Sequence, residues 1–375
     1  MAIDEQDLRQ LRRALELAYT AIGRSEPNPR VGCVVADAAG RRAGEGATQR
    51  AGQAHAEVMA LRAAQADGTV LSGGTAWVSL EPCSHHGRTP PCADALVAAR
   101  LRRVVVAALD PNPLVGGTGA QRLRDAGIAV DLADGEVARQ ARELNIGFFS
   151  RMRRGRPWVR SKLAASLDGR TALEDGRSRW ITGEAARSDG HLWRRRASAV
   201  LTGSGTAIAD NPRLDVRHVA TEAQPLRVLV DSQLRTPAQS RLFDAPGRAL
   251  VYCARTPPTA AAALHARQVE VVELPSASAD VDLAAMMKDL ASRDINELHV
   301  EAGPTLNGAL LREGLIDEFL IYLAPKLIGA GRGMINMDRL IDLSGAWPLR
   351  FEAVQPVGDD LRILARRSGD TSWLA

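Results

Sequence analysis

Long apolar runs are missing from this 375-residue chain, and no stretch approaches the roughly 18 consecutive apolar residues that a membrane helix needs. Residues 1–10 carry acids where a secretory leader would carry bases and an apolar core, so a cytoplasmic protein is expected. Cysteine is scarce. Four in a chain of this length cannot make a disulfide framework, which leaves metal ligation or buried thiols as their uses. Aromatic residues amount to only 4%, and the net charge of +4 is small for the length, which argues against a nucleic-acid binder. Lysine is nearly absent, with three among 48 basic residues. What is present is an ordinary globular composition, 45% hydrophobic and 25% charged, with length for two or three domains.

The hydrophobic pattern alternates between two periods. Leu8, Leu11, Ala14, Leu15 and Ala18 recur at helical spacing, followed by a strand at 31–35, a helix at 55–66, a strand at 75–80, a helix at 93–99 and a strand at 104–109. Such alternation predicts an α/β fold with helices layered on a sheet. Residues 150–157, with Arg151, Arg153, Arg154, Arg156 and a glycine, show no apolar period and are expected to be a solvated linker. Beyond it the alternation restarts, with strands expected at 199–202, 227–230, 249–253, 269–274, 297–301 and 319–324. The expected domains are therefore 1–149 and 158–375.

In the first domain, His55-Ala56-Glu57 opens a helix, and a strand ending at Leu80 leads into Glu81-Pro82-Cys83, with Cys92 nine residues later. One imidazole and two thiolates make three zinc ligands, and a zinc ion with three protein ligands keeps a fourth position for water. Glu57, two residues from the ligand histidine, is free to take that water's proton and hand it to a leaving amine. The order H-x-E then P-C matches zinc nucleobase deaminases, although their usual second cysteine follows after two residues rather than eight. Pro90 and Pro91 suggest a rigid loop that delivers Cys92 at a helix start. The alternatives are a nucleic-acid deaminase, for instance one acting on tRNA, and a purely structural zinc site completed by His85 or His86. Cys33 and Cys253 lie in apolar strands and read as core thiols.

In the second domain, the strand beginning near Arg160 carries Lys162, one of the few lysines, before the turn at Asp168-Gly169. Residues 297–301 run into Gly303-Pro304-Thr305-Leu306-Asn307-Gly308-Ala309, a strand, a glycine turn and a helix start. This is either an ordinary connection or a place where backbone amides meet a pyrophosphate. No Lys-Ser/Thr follows Gly308, and Ile208 replaces the third glycine after Gly203 and Gly205, so neither a P-loop nor a Rossmann fingerprint is present.

Taken together, these segments resemble the bifunctional riboflavin-biosynthesis deaminase-reductases over the whole length. The resemblance rests on Pro27-Asn28-Pro29-Arg30-Val31-Gly32, His55-Ala56-Glu57, and the run Glu81-Pro82-Cys83-Ser84-His85-His86-Gly87-Arg88-Thr89-Pro90-Pro91-Cys92. In the second half it rests on Ser178-Arg179-Trp180-Ile181-Thr182-Gly183, residues 206–214, Val300-Glu301-Ala302-Gly303-Pro304-Thr305-Leu306 and residues 324–329. It implies a cytidine-deaminase-like α/β/α layered domain followed by a dihydrofolate-reductase-like α/β domain, the use of zinc and NADPH, a small pyrimidine ribose-phosphate substrate and a homodimer formed through the reductase domain. It further implies that His55, Cys83 and Cys92 bind zinc, Glu57 moves the proton, and Asn28 and Arg88 hold the deaminase substrate. Arg88 stands where lysine is common in the family, and Thr48 where a substrate-contacting histidine is common. In the reductase half, the resemblance puts Ala164, Trp180, Thr206, Asp210, Ser232 and the loop from Gly303 to Ala309 on NADPH. Ser178, Arg194, Leu214, Arg217 and Glu301 fall on the substrate. Lys162 and Glu301 are expected to polarise the opened sugar and guide protons.

Overall fold

The fold was read from a computed structural model of the chain, which describes residues 3–87, 89–113, 115–369 and 372–374. It divides into two compact units, one reaching to Gly155 and taking in Ser372–Leu374, the other beginning at Arg156. Among the described residues no helix is long and apolar enough to cross a membrane.

The first unit contains helices α1 (Glu5–Tyr19), α2 (Ala56–Ala66), α3 (Cys92–Ala98), α4 (Thr118–Asp125), α5 (Gly135–Leu144) and α6 (Ile146–Arg154). Its strands are β1 (Gly32–Ala36), β2 (Arg42–Ala47), β3 (Thr75–Val78), β4 (Arg103–Val106) and β5 (Ala129–Leu132). The sheet order is β2-β1-β3-β4-β5, with β1 antiparallel to both neighbours and β3, β4 and β5 parallel. Every residue of β1 is buried, because helices close on both its faces. A Cβ on Gly32 would sit 1.9 Å from the Ala14 carbonyl oxygen of α1. On the opposite face, Cβ atoms on Gly44 and Gly46 would come within 2.2 and 2.3 Å of carbonyl oxygens of α2. Those glycines are what allow helix and strand backbones to touch. Asp4 and Asp7 form a capping box at the start of α1. The buried Asp7 also accepts hydrogen bonds from Trp77 Nε1 at 2.8 Å and from both Nη atoms of Arg103 at 2.9 Å, tying the helix to β3 and β4.

The stretch 150–157, expected as a linker, is helical through Arg154, with Ser150 fully buried. Phe148 and Phe149 are buried in the first core, and of the arginines that read as a solvated run Arg151, Arg153 and Arg154 lie over aromatic rings, Arg154 at 4.1 Å from the centre of Trp373. Only Gly155–Pro157 remains between α6 and the next strand. The expected second domain also loses its end, since Trp373 and Leu374 pack against the first core.

The second unit contains β6 (Trp158–Ser166), β7 (Arg170–Leu173), α7 (Glu184–Arg196), β8 (Ala199–Gly203), α8 (Ser204–Asp210), β9 (Leu226–Val230), α9 (Arg241–Asp244), β10 (Ala249–Cys253) and α10 (Pro258–His265). It continues with β11 (Glu270–Glu273), α11 (Leu283–Ser292), β12 (Glu297–Val300), α12 (Pro304–Arg312), β13 (Glu318–Ala324), β14 (Gly331–Gly333), β15 (Leu349–Val357) and β16 (Asp360–Arg367). Nine strands form one sheet in the order β11-β10-β9-β8-β12-β6-β13-β16-β15. The first seven are parallel, and β16 and β15 close the edge as an antiparallel hairpin. The chain fills β6, steps outward from β8 to β11, and returns to lay β12 between β8 and β6. Such a reversal opens a crevice at the carboxyl ends of the strands.

Candidate active sites

In the first unit the strand-loop-helix succession gathers three ligand atoms. His55 is the N-cap of α2 with no capping hydrogen bond of its own, Cys83 lies in the loop after β3, and Cys92 opens α3 behind Pro91. Nδ1 of His55 is 3.6 Å from Cys83 Sγ and 3.3 Å from Cys92 Sγ, and the three ligand atoms lie within 4.8 Å of one another. Tetrahedral zinc with bonds of about 2.3 Å to sulfur and about 2.0 Å to nitrogen would place such atoms about 3.5 Å apart, so the trio fits the ion. The backbone N–H of Cys92 donates to Cys83 Sγ at 3.3 Å. The hydrogen bond with Cys92, reinforced by His55, pulls the Cys83 thiol down to about 4, towards the thiolate form that ligates metals. His85 and His86 are exposed and stand outside the cluster, so among the described residues no fourth protein ligand completes it.

Glu57, on the first turn of α2, is 3% exposed. Burial, with the nearby Cys83 adding to it, pushes its carboxyl up to about 7, the range in which a group both accepts and returns a proton near neutrality. Asn28 belongs to a turn in which its N–H donates to the Ser25 carbonyl. The buried Thr48 hydroxyl lies just past the end of β2, accepting from the Val31 N–H at 3.2 Å. Arg88 lies outside the described residues. Asp110, in the loop after β4, escaped the reading of the sequence. Burial raises its carboxyl to about 6, with Glu81 and Cys83 contributing to the rise, and the polar turn Asp110-Pro111-Asn112-Pro113 was its signal.

In the second unit a cavity of about 1370 Å³ lies at the crevice. Lys162, Ala164, Ser178, Trp180, Arg194, Thr206, Asp210, Arg217, Ser232 and Glu301 line it, together with Gly303 to Leu306 and Ala309. Gly203 and Gly303 cap the neighbouring helices α8 and α12. A Cβ on the first would meet Leu306 at 3.2 Å, and one on the second Thr206 Oγ1 at 3.4 Å.

Three expected contacts fall elsewhere. Asn307 is fully buried, its amide accepting from Ser161 Oγ and donating to the Ala302 carbonyl. Gly308 faces the backbone of Asn336, whose oxygen a Cβ would approach to 2.1 Å. At about 100° per residue, Asn307 and Gly308 fall on the face of α12 turned away from the cavity, between Leu306 and Ala309, which line it. Leu214 is absent from the lining as well, its side chain packed with Val200, Ala207 and Leu229.

Arg194 faces the cavity, but its fork is fully engaged. It donates to Glu301 through Nε at 2.5 Å and Nη2 at 2.8 Å, and to the Asp215 carbonyl through Nη1 at 2.9 Å. Burial alone would raise the Glu301 carboxyl, yet Arg194 outweighs it and holds the group well below its ordinary value. Glu301 is thus an ionised acceptor rather than a proton donor. Arg196 turns away to Glu297 at 2.8 Å, while Arg217 donates to Asp215 through Nη1 and stays partly exposed. The Lys162 ammonium makes no hydrogen bond among the described residues and stands 5.7 Å above the ring of Tyr322, whose hydroxyl donates to Asp189 at 2.6 Å. Burial, aided by Arg194 and opposed by Glu301, lowers its pKa. Trp180 is 64% exposed at the mouth, with the Arg187 guanidinium 4.5 Å from its ring centre, and Lys326 Nζ donates to the Trp180 and Ile181 carbonyls.

His191, His218 and Tyr322 also line the cavity and carried no pattern in the sequence. Burial, with Arg194 and Arg217 nearby, lowers His191 to about 3, so it is neutral and accepts the Arg217 N–H at Nδ1.

Residues 4–108 match the family model for the cytidine and deoxycytidylate deaminase zinc-binding region, and residues 157–362 that for the RibD C-terminal domain. The chain is 44% identical over 369 residues to the riboflavin biosynthesis protein RibD of Escherichia coli (strain K12), spanning 95% of this chain and 98% of that protein. It is 39% identical over 365 residues to the RibD of Aquifex aeolicus, spanning 97% and 99%. Among solved structures, Acinetobacter baumannii RibD superposes with a TM-score of 0.88 at 41% identity, covering 97% of this chain and 99% of that one. A diaminohydroxyphosphoribosylaminopyrimidine deaminase/5-amino-6-(5-phosphoribosylamino)uracil reductase from Thermotoga maritima gives 0.84 at 32% identity, covering 96% and 99%.

Proposed function

The chain belongs to the bifunctional deaminase-reductases of riboflavin biosynthesis, and from that premise we propose which of its residues carry each reaction. The first unit deaminates diaminohydroxyphosphoribosylaminopyrimidine, and the second reduces the ribosyl side chain of the product to ribityl. The observation that carries the assignment is the pairing, in one chain, of the His55, Cys83 and Cys92 trio beside the buried Glu57 with a large cavity floored by Lys162 and Glu301.

His55, Cys83 and Cys92 would hold zinc, which when bound would make water acidic enough to attack near neutrality. Glu57 takes the proton of the attacking water and passes it to the departing amine, and its buried carboxyl near 7 suits both steps. Asn28 and Arg88 hold the pyrimidine and its phosphate.

NADPH, when bound in this cavity, would supply hydride to the sugar carbon. Ala164, Trp180, Thr206, Asp210, Ser232, the Gly303 to Leu306 turn and Ala309 form its bed, while Ser178 and Arg217 take the sugar phosphate. Lys162, whose ammonium has no hydrogen-bond partner among the described residues, directs its proton to the sugar oxygen that gains charge. Glu301, fixed by Arg194, orients the sugar hydroxyls by accepting from them.

The substrate is a small molecule rather than a nucleic acid, and the enzyme acts in the cytoplasm as a homodimer through the reductase unit. In support of the dimer, the edge strand β15 exposes Leu349, Phe351 and Val354. Paired variants test the division of labour. Glu57→Gln should lose deamination by at least about 100-fold while holding zinc and keeping reductase turnover, and Lys162→Ala should do the reverse. Deamination surviving in the first, or reduction in the second, contradicts the roles.

A further inference from the structure

Glu81 opens the segment that carries Cys83, yet neither the metal trio nor the proton step uses it. Its side chain is buried, the residue being 5% exposed, and its carboxylate accepts three backbone N–H groups. Oε2 accepts from Gly117 at 2.8 Å and from Asp110 at 3.1 Å, and Oε1 accepts from Ala120 at 2.9 Å. The donors belong to the loop after β4 and to the first turn of α4, whose N-cap, Gly117, has no side chain to offer. A carboxylate from another segment thus satisfies helix-start donors that would otherwise be orphaned.

A second set of contacts points the same way. A Cβ on Gly119 would lie 1.9 Å from the Pro82 carbonyl oxygen, so the start of α4 rests directly on the backbone next to Cys83. On the far side of the ligand, Ser84 Oγ is 2.6 Å from Thr118 Oγ1, and the Ser84 carbonyl accepts from Arg122 Nη1 at 3.2 Å. Cys83 itself lies in neither strand nor helix. Its place is therefore set by clamps on either side, of which Glu81 is the buried one.

We propose that Glu81 is a positioning residue for the metal ligand Cys83, holding the ligand loop on the start of α4 through a carboxylate that does not touch the ion. The proposal rests on the reading of His55, Cys83 and Cys92 as zinc ligands. In Glu81→Gln the amide nitrogen must face at least one of the three N–H groups, replacing a charge-assisted acceptor with a buried clash of donors. The change is carried to Cys83 through two peptide bonds.

The test uses the full chain as wild type, Glu81→Gln, Glu81→Asp and Cys83→Ser. Zinc affinity is read by competition with a chromophoric chelator, ligand geometry by the visible bands of the cobalt-substituted protein, and integrity by reductase turnover. Glu81→Gln should bind zinc about 10-fold more weakly, as loss of a supporting contact around a metal site does. Its cobalt bands should shift while reductase turnover stays at the wild-type level, and Glu81→Asp, which keeps the charge but shortens the reach, should fall between. Wild-type affinity and spectrum in both Glu81 variants, beside a Cys83→Ser protein that has lost zinc, overturn the role of Glu81 alone. Wild-type zinc affinity in Cys83→Ser overturns the zinc reading and the proposal with it.

Discussion

Arg194 grips Glu301 at two points, Nε to Oε1 at 2.5 Å and Nη2 to Oε2 at 2.8 Å, and the pair lies almost wholly inside the second unit. Glu301→Gln leaves a buried guanidinium without its counter-charge, a change that typically costs about 3 kcal/mol or more. The folded carboxyl sits below its unfolded value, so the pair's stabilisation is complete above the ordinary glutamate pKa and is lost as pH falls through the lower folded value. Denaturant unfolding followed by circular dichroism should show the gap between wild type and Glu301→Gln at neutral pH, narrowing in acid. A gap independent of pH contradicts the ion-pair account.

Lys162 gives a signature in alkali. Burial lowers its pKa from the free value, so reductase turnover should decline on a basic limb below that of ordinary lysine as the ammonium is lost. In Lys162→Arg, whose guanidinium stays charged, residual turnover should show no such limb. An unchanged limb assigns the titration to another group.

Zinc removal should separate the halves. Dialysis against a strong chelator is expected to abolish deamination and leave reduction intact, with zinc restoring the first, because only the first unit holds the His55, Cys83 and Cys92 trio. Parallel turnover assays on one sample measure both.

The metal trio was legible because its chemistry is concentrated in short motifs, whereas β2 was not, since Arg42–Ala47 contains no β-branched or aromatic residue. That strand exists because Gly44 and Gly46 let α2 press on it, a tertiary reason that local pattern does not carry. The hairpin of β15 and β16 was hidden by exposure, since β15 has no buried residue to mark a face. The linker expectation failed for the opposite cause, because charged residues that read as solvated are anchored over aromatic rings at the end of α6. Within the Gly303 to Ala309 loop the motif was visible, but the rotation that turns Asn307 and Gly308 inward was not.

That rotation is itself testable. Gly308→Ala forces a methyl group onto the Asn336 backbone and should destabilise the second unit by about 1–3 kcal/mol, as overpacking does. The KM for NADPH of the folded fraction should remain near wild type. A large rise in that KM without a stability change would return Gly308 to the cofactor bed.

The central claim is that one chain performs both steps, and mass spectrometry of the pyrimidine phosphate incubated with zinc-loaded protein tests it directly. Without nicotinamide cofactor the substrate should exchange an amino group for oxygen, and with NADPH the product should then gain two hydrogens. A substrate whose mass is unchanged under both conditions would contradict the account.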